Sequence, residues 1–284
     1  MLEFNNVSIG YKKNVIISGI ELSIGPGIHA IVGPNGAGKT TLMKAIVTLI
    51  EPFSGTISYN GVDVKDLDRQ FLSIIGYLPQ EFEPFSDLSG KEYLKYIAEC
   101  KGLTKKDSCE QIDSLLKIVG LDEYNKKKAG KYSLGMKRRL GLAQALLGNP
   151  EILVLDEPTA GMDPDEVRTI RRMLSTYSKE RIVFISTHIM SDIDATANNI
   201  IAIKNGKIAL NTPPYILCDE IRGMVFSVRS KIEQLPEGLI EISRKTSGDE
   251  YQYRYIDPSG KGVLEGSESC DSNINDFYVW FYKE

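Results

Sequence analysis

The run Gly33-Pro34-Asn35-Gly36-Ala37-Gly38-Lys39-Thr40 has the spacing G-x-x-x-x-G-K-[ST]. Those residue types in that order suit phosphate. Glycines let the backbone close around phosphate oxygens, so that successive N–H groups point inward. A helix starting at the end of the loop adds partial positive charge. Lys39 brings a full charge to the β and γ phosphates, Thr40 offers its hydroxyl to Mg²⁺, and Thr41 continues the cradle. A bare tight turn is the plain alternative. The apolar run Ile28 to Val32 before the loop and the apolar helix after it supply the context that phosphate binding requires.

A second constellation is Ile152-Leu-Val-Leu-Asp156-Glu157, two acids at the C-terminal end of an apolar strand. Open α/β sheets bind ligands at that edge. Asp156 is then placed to hold the Mg²⁺ shell, and Glu157 to polarise an attacking water as general base. In isolation the pair could simply cap a strand before Pro158. A phosphate loop does not by itself separate kinase, GTPase, motor and transporter ATPase. A kinase needs an acceptor site, and a GTPase needs an N-K-x-D motif that Asn125-Lys-Lys-Lys-Ala does not supply.

The elements that must position these groups read as follows. Leu2 to Ile9 and Val15 to Ile24 are strands, and Ile28 to Val32 feeds the glycine loop. Leu42, Met43, Ala45, Ile46, Val47, Leu49 and Ile50 predict a buried helix stopped by Pro52. Ser54 to Gly61 adds a turn and a strand. Residues 81–148 are mainly helical by periodicity, with a capping box at Ser89-Gly-Lys-Glu92 and helices over Ile112 to Val119 and Leu140 to Leu147. Ile152 to Leu155 and Ile182 to Ser186 read as parallel strands buried on both faces, joined by a crossover helix over Asp165 to Ser178. Ile200 to Ile203 is a further strand. The fold class is α/β: a P-loop NTPase core with an antiparallel β subdomain and a helical insertion, plus a small α+β C-terminal domain. The boundary is set at Thr212-Pro-Pro214, giving domains 1–212 and 213–284. In the second, strands are expected at Met224 to Val228, Leu239 to Ser243, Tyr251 to Tyr255 and Gly262 to Leu264. Ile274, Phe277, Tyr278 and Phe281 then predict a closing aromatic helix, packed on those strands in preference to a membrane interface, since it lacks a Lys/Arg-rich face.

Composition narrows the partners. A net charge of −4 gives no electrostatic reason to expect nucleic acid. The runs Lys126 to Lys128 and Lys137 to Arg139 read as solvated faces. The four cysteines form no CxxC pair and no zinc spacing. The N-terminus shows neither a basic n-region nor an apolar run, and no stretch reaches the roughly 18 apolar residues of a membrane helix. The expectation is a reduced cytoplasmic chain that depends on another polypeptide to cross any membrane it serves.

Tyr132-Ser133-Leu134-Gly135-Met136 stands before a predicted helix, about twenty residues upstream of Asp156. A small hydroxyl and a glycine there make another anion site. This segment resembles the signature motif of ATP-binding cassette (ABC) proteins, matching at Ser133 and Gly135 and departing from the commonest pattern at Leu134 and Met136. Gln80 in Gly76-Tyr-Leu-Pro-Gln is similar to the Q-loop glutamine that senses Mg²⁺ and the γ phosphate. Ala160-Gly-Met-Asp163 resembles the D-loop, His188 the switch histidine, and Tyr11 the aromatic that stacks on adenine. A lone histidine is more often structural, and His29 keeps that reading. The ordered set spans residues 1–210.

The resemblance implies ATP and Mg²⁺ as cofactors and Mg-dependent ATP hydrolysis. It implies a head-to-tail homodimer or heterodimer of cassettes, with ATP between the P-loop of one and the signature motif of the other. It also implies an integral membrane permease as partner, with Phe82 to Leu88 near its coupling helix, and a place on the inner face of the membrane. By analogy with subunits separate from their permease, export is the expected direction. The competing readings are a soluble ABC ATPase acting on ribosomes or DNA, and a binding module with a dead site. The acidic balance and single cassette oppose the first, and Lys39, Asp156, Glu157 and His188 oppose the second.

Overall fold

A computed structural model describes residues 1–187, 190 and 196–283. The chain divides into two compact units, Met1–His188 with Asn198–Asn211, and Thr212–Glu284 with Ile189–Ala197.

In the first unit, β1 (Leu2–Tyr11) lies between β2 (Asn14–Ile24) and β4 (Ser54–Tyr59), all antiparallel, with the short β5 (Val62–Asp63) at the edge. A second sheet has the order β10-β9-β3-β8-β7-β6, made of β3 (Gly27–Val32), β6 (Ile75–Leu78), β7 (Ile152–Asp156), β8 (Ile182–Ser186), β9 (Asn199–Lys204) and β10 (Lys207–Thr212). From β9 through β6 the neighbours run parallel. Every residue of β3, β7 and β8 is buried, which is why these strands read as unbroken apolar runs. Both sheets contribute to one core, from Phe4 and Ile24 on one side to Val154 and Phe184 on the other. His29 is buried there, its Nε2 2.9 Å from Gly25 O, and burial pushes its pKa down.

The helices are α1 (Lys39–Ile46), α2 (Val64–Leu67), α3 (Arg69–Ser73), α4 (Gly90–Cys100), α5 (Lys105–Ile118), α6 (Leu134–Leu146) and α7 (Pro164–Tyr177). The Ser89 capping box forms as expected: Ser89 N–H donates to Glu92 Oε2 at 2.7 Å, and Glu92 N–H to Ser89 Oγ at 3.3 Å.

The structure changes three sequence expectations here. α1 stops at Ile46, well before Pro52. Thr48 turns left-handed at φ 58°, its N–H reaches Ala45 O, and the Leu49 N–H reaches Lys44 O. That bond pair closes a Schellman cap and leaves Leu49 exposed. The run Lys137 to Arg139 is not a solvated face: Arg138 is only 4% exposed, and Lys137 and Arg139 pair with Glu83 and Glu166. Strand β10 was not expected, although the Asn205-Gly206 turn before it, with both φ positive, is a strong hairpin signal.

In the second unit, α8 (Pro214–Glu220) precedes β11 (Val225–Ser230), β12 (Ile240–Ser247), β13 (Glu250–Ile256) and β14 (Glu268–Ser269), in the order β12-β13-β11-β14. Phe226, Val228, Tyr253 and Tyr255 form its core. No strand forms over Gly262 to Leu264. The buried Asp257 carboxylate accepts the N–H groups of Gly262 and Val263 at 2.9 and 3.3 Å, which takes them from any ladder. The closing helix α9 (Ile274–Lys283) packs against β12 and α8, and Asp276 holds Arg254 through both carboxylate oxygens.

A β-branched residue in the left-handed region carries roughly 1–2 kcal/mol of strain. Exposed Thr48→Gly should therefore raise the first unit's stability by about 0.5–1 kcal/mol after glycine's unfolded-state entropy is subtracted. Thermal unfolding would register this as a Tm increase of about 2–4 °C per kcal/mol. A lower Tm would show that Thr48 is not strained.

Candidate functional site

The glycine loop leaves β3 at its C-terminal end and enters α1. Gly36 and Gly38 take φ 81° and 107°, conformations that suit glycine, and a Cβ on Gly38 would come within 2.8 Å of Ile16. Ala37 N–H closes the turn on Pro34 O at 3.1 Å. Lys39 Nζ lies over the loop, 2.7 Å from Gly33 O and 3.1 Å from Pro34 O. Burial lowers the Lys39 pKa, and the nearby Asp156 and Glu157 partly offset that.

Strands β7 and β8 bring the acids to the same edge. Thr40 Oγ1 donates to Asp156 Oδ2 at 2.8 Å, and Ser186 Oγ donates to Asp156 Oδ1. Glu157 adopts φ 53°, a left-handed conformation for a non-glycine residue just before proline. Its N–H is held by Ser186 O at 3.2 Å and Ser186 Oγ at 3.0 Å. Gln80, just past β6, donates its side-chain amide to Glu157 Oε1 at 3.4 Å. Asn35, Gly36, Gly38, Lys39, Thr40, Thr41, Gln80, Asp156 and Glu157 thus line one cleft of about 250 Å³.

Arg138 on α6 locks this geometry. Its Nε donates to Glu157 O at 2.9 Å, and its Nη1 donates to Pro79 O at 2.6 Å and Gln80 O at 2.9 Å. One buried guanidinium thereby fixes the backbone of both Gln80 and Glu157. Burial lowers its pKa, while Asp156 and Glu157 act to raise it. The sequence reading missed Arg138, Ser186 and Ile16, which also lines the cleft. Nothing local marks Ser186. Arg138 was hidden inside a basic run.

Among the described residues, the predicted site residues Tyr11, Ser133, Gly135 and Asp163 do not line the cleft. Tyr11 is 41% exposed, with Lys44 Nζ 5.7 Å from its ring centroid. Ser133 is exposed and caps α6, its Oγ accepting Met136 N–H at 3.2 Å. Gly135 is buried where a Cβ would meet Gly161 O at 2.5 Å, so the start of α6 abuts the segment before α7. Asp163 caps α7, its Oδ1 accepting Asp165 N–H at 3.0 Å and Glu166 N–H at 2.9 Å. His188 lies outside the described residues.

A phosphate loop, a strand-end acid pair and a polar amide sharing one cleft define a nucleotide-hydrolysing α/β protein. The family described as ABC transporter matches residues 17–160. Over 206 residues the chain is 39% identical to the bacitracin transport ATP-binding protein BcrA of Bacillus licheniformis, spanning 72% of this chain and 66% of that one. Over 212 residues it is 35% identical to the lantibiotic transport ATP-binding protein SrtF of Streptococcus pyogenes, spanning 74% and 90%. A solved structure described as an ATP binding subunit of an ABC transporter has a TM-score of 0.71 at 26% identity, covering 78% of this chain and 92% of that one. The chain belongs to the ABC transporter ATP-binding family and is an ATP-binding ATPase of that class.

Arg138→Met would take the guanidinium donor from Pro79 O and Gln80 O, while Glu157 O keeps the Ala160 N–H at 3.3 Å. At about 1–3 kcal/mol for a buried group that loses its partner, stability should fall by about 1–3 kcal/mol, and ATP hydrolysis with it. Denaturant unfolding and ATPase assays check this. A variant of wild-type stability and turnover would show that the guanidinium does not organise the site.

Proposed function

We propose that this ATPase powers export of a substrate through a separate membrane-spanning permease, as a head-to-tail homodimer or heterodimer of cassettes. The observation that carries the reading is the convergence of Lys39, Thr40, Asp156, Glu157 and Gln80 on one cleft, with Thr40 and Asp156 2.8 Å apart. The relatives named for bacitracin and lantibiotic transport support the transport role. Residues 1–212 would be the ATP-binding domain and 213–284 an accessory domain.

Mg²⁺ fits the donors present. Thr40 hydroxyl, Asp156 carboxylate and Gln80 carbonyl are hard oxygen ligands, and a site with one carboxylate that leaves room for phosphate oxygens suits this ion. When bound, Mg²⁺ would neutralise negative charge that develops on the phosphates. Gly33 to Thr41 would bind the phosphates through backbone N–H groups, with Lys39 as the full charge. Glu157 would accept a proton from the attacking water, held in place by Gln80 and by the strained backbone that Ser186 and Arg138 support. His188 would contact the γ phosphate. Tyr11 would stack on adenine. Ser133 and Gly135 at the start of α6, with Asp163, would meet ATP held by the opposite cassette.

The permease would dock beside the segment after Gln80. Phe82, Phe85, Tyr93 and Tyr96 form edge-on aromatic contacts there, and Phe85 and Tyr96 remain 53% and 46% exposed. Among the described residues no helix is long and apolar enough to cross a membrane, which fits a subunit at the inner face. The net charge of −4 supports no nucleic-acid partner.

Glu157→Gln tests the assignment. It should keep ATP affinity, slow hydrolysis by about 10²–10⁴-fold, and accumulate an ATP-bound dimer on size exclusion. Turnover near the wild-type rate would remove Glu157 as the base.

A further inference from the structure

Arg139, next to the residue that locks the cleft, faces a different set of partners. Its Nη1 donates to Val119 O and Gly120 O, each at 3.0 Å, at the C-terminal end of α5. Cationic side chains suit that position, where orphan carbonyls and the negative end of the helix dipole meet. Its Nη2 lies 3.0 Å from Glu166 Oε1 on α7. The other oxygen of the same carboxylate, Oε2, accepts Asp163 N–H at 3.3 Å, and Asp163 Oδ1 accepts Glu166 N–H in return. A chain of direct contacts therefore runs from α5 in the helical insertion, through Arg139 on α6, to the backbone of Asp163.

The surroundings make this chain mechanically important. A cleft of about 250 Å³ separates α5 from α7, lined by Ile118, Thr169 and Ile170 among others, and Arg139 and Glu166 stand in it. Both side chains are largely shielded, at 13% and 25% exposure, so the pair is screened less than a surface ion pair. The segment they hold, Gly161 to Asp163, is the one whose backbone already touches Gly135.

We infer that Arg139 and Glu166 form a positioning strut that transmits the placement of the helical insertion to the Asp163 segment, and so sets turnover without contributing to ATP capture. This rests on the proposed role of Asp163 at the opposite nucleotide. The strut predicts a split: kcat falls when it is cut, while ATP affinity stays.

The test uses the full chain with Glu166→Gln, which keeps a capping oxygen but loses the ion pair, and Arg139→Met, which leaves Glu166 in place. Each should lower kcat about 5–20-fold, with the Kd for a fluorescent ATP analogue within about twofold of wild type. The double variant should be no worse than the worse single one, because both cut the same link. Hydrogen exchange of the peptide covering 160–166 should quicken in Arg139→Met although that peptide is unaltered. Additive losses in the double variant, or unchanged exchange in Arg139→Met, would overturn the strut. Either result leaves the ATP-site reading intact, since Glu157→Gln tests that separately. If Arg139→Met fails to fold, Glu166→Gln decides the matter, and wild-type kcat there refutes the strut.

Discussion

The hydrogen bond from Thr40 to Asp156 joins residues 116 positions apart and ties the phosphate loop to the centre of the parallel sheet. It can form only if β3 and β7 lie in one sheet with β8 between them and end at the same edge. The register delivers this, with Ile31 opposite Ser186 and Asp156 opposite the same Ser186. Full burial of all three strands makes any one-residue slip costly. The apolar packing of the core thus becomes angular precision at the cleft.

Around that contact, backbone strain and buried charge are balanced against each other. Glu157 is held left-handed because Ser186 and Arg138 satisfy its N–H and C=O. A buried guanidinium is costly unless its donors are used, and three carbonyls use most of Arg138. Its Nη2 finds no partner among the described residues. The Asp156 and Glu157 carboxylates favour the charged form of both Arg138 and Lys39 against burial. The cleft is therefore a mutually compensated charge cluster, suited to receive phosphates and a divalent cation.

Much of this was legible in the sequence where the chemistry is local. Gly33 to Thr40 and Asp156-Glu157 are short runs whose types and order imply their surroundings, and Ser89 with Glu92 forms the predicted cap. Legibility ended where the partner is distant. Arg138 reads as one more cation in Lys-Arg-Arg, and only the fold places it under Glu157 and Gln80. Ser186 is an ordinary strand end until β8 lies beside β7. Thr48 ended α1 early because a cap, rather than apolar periodicity, decided the boundary. At Gly262 to Leu264 one buried carboxylate, Asp257, outweighed strand propensity. The Asn205-Gly206 turn shows the reverse, a readable local signal that went unused.

In the proposed function the cleft would bind ATP together with Mg²⁺ through Thr40 and Asp156. The most direct measurement is equilibrium titration of a non-hydrolysable ATP analogue, with and without Mg²⁺, against the wild type and Asp156→Asn. Mg²⁺ should tighten wild-type binding, and Asp156→Asn should lose most of that gain while keeping the metal-free affinity. An undiminished Mg²⁺ effect in Asp156→Asn would contradict it.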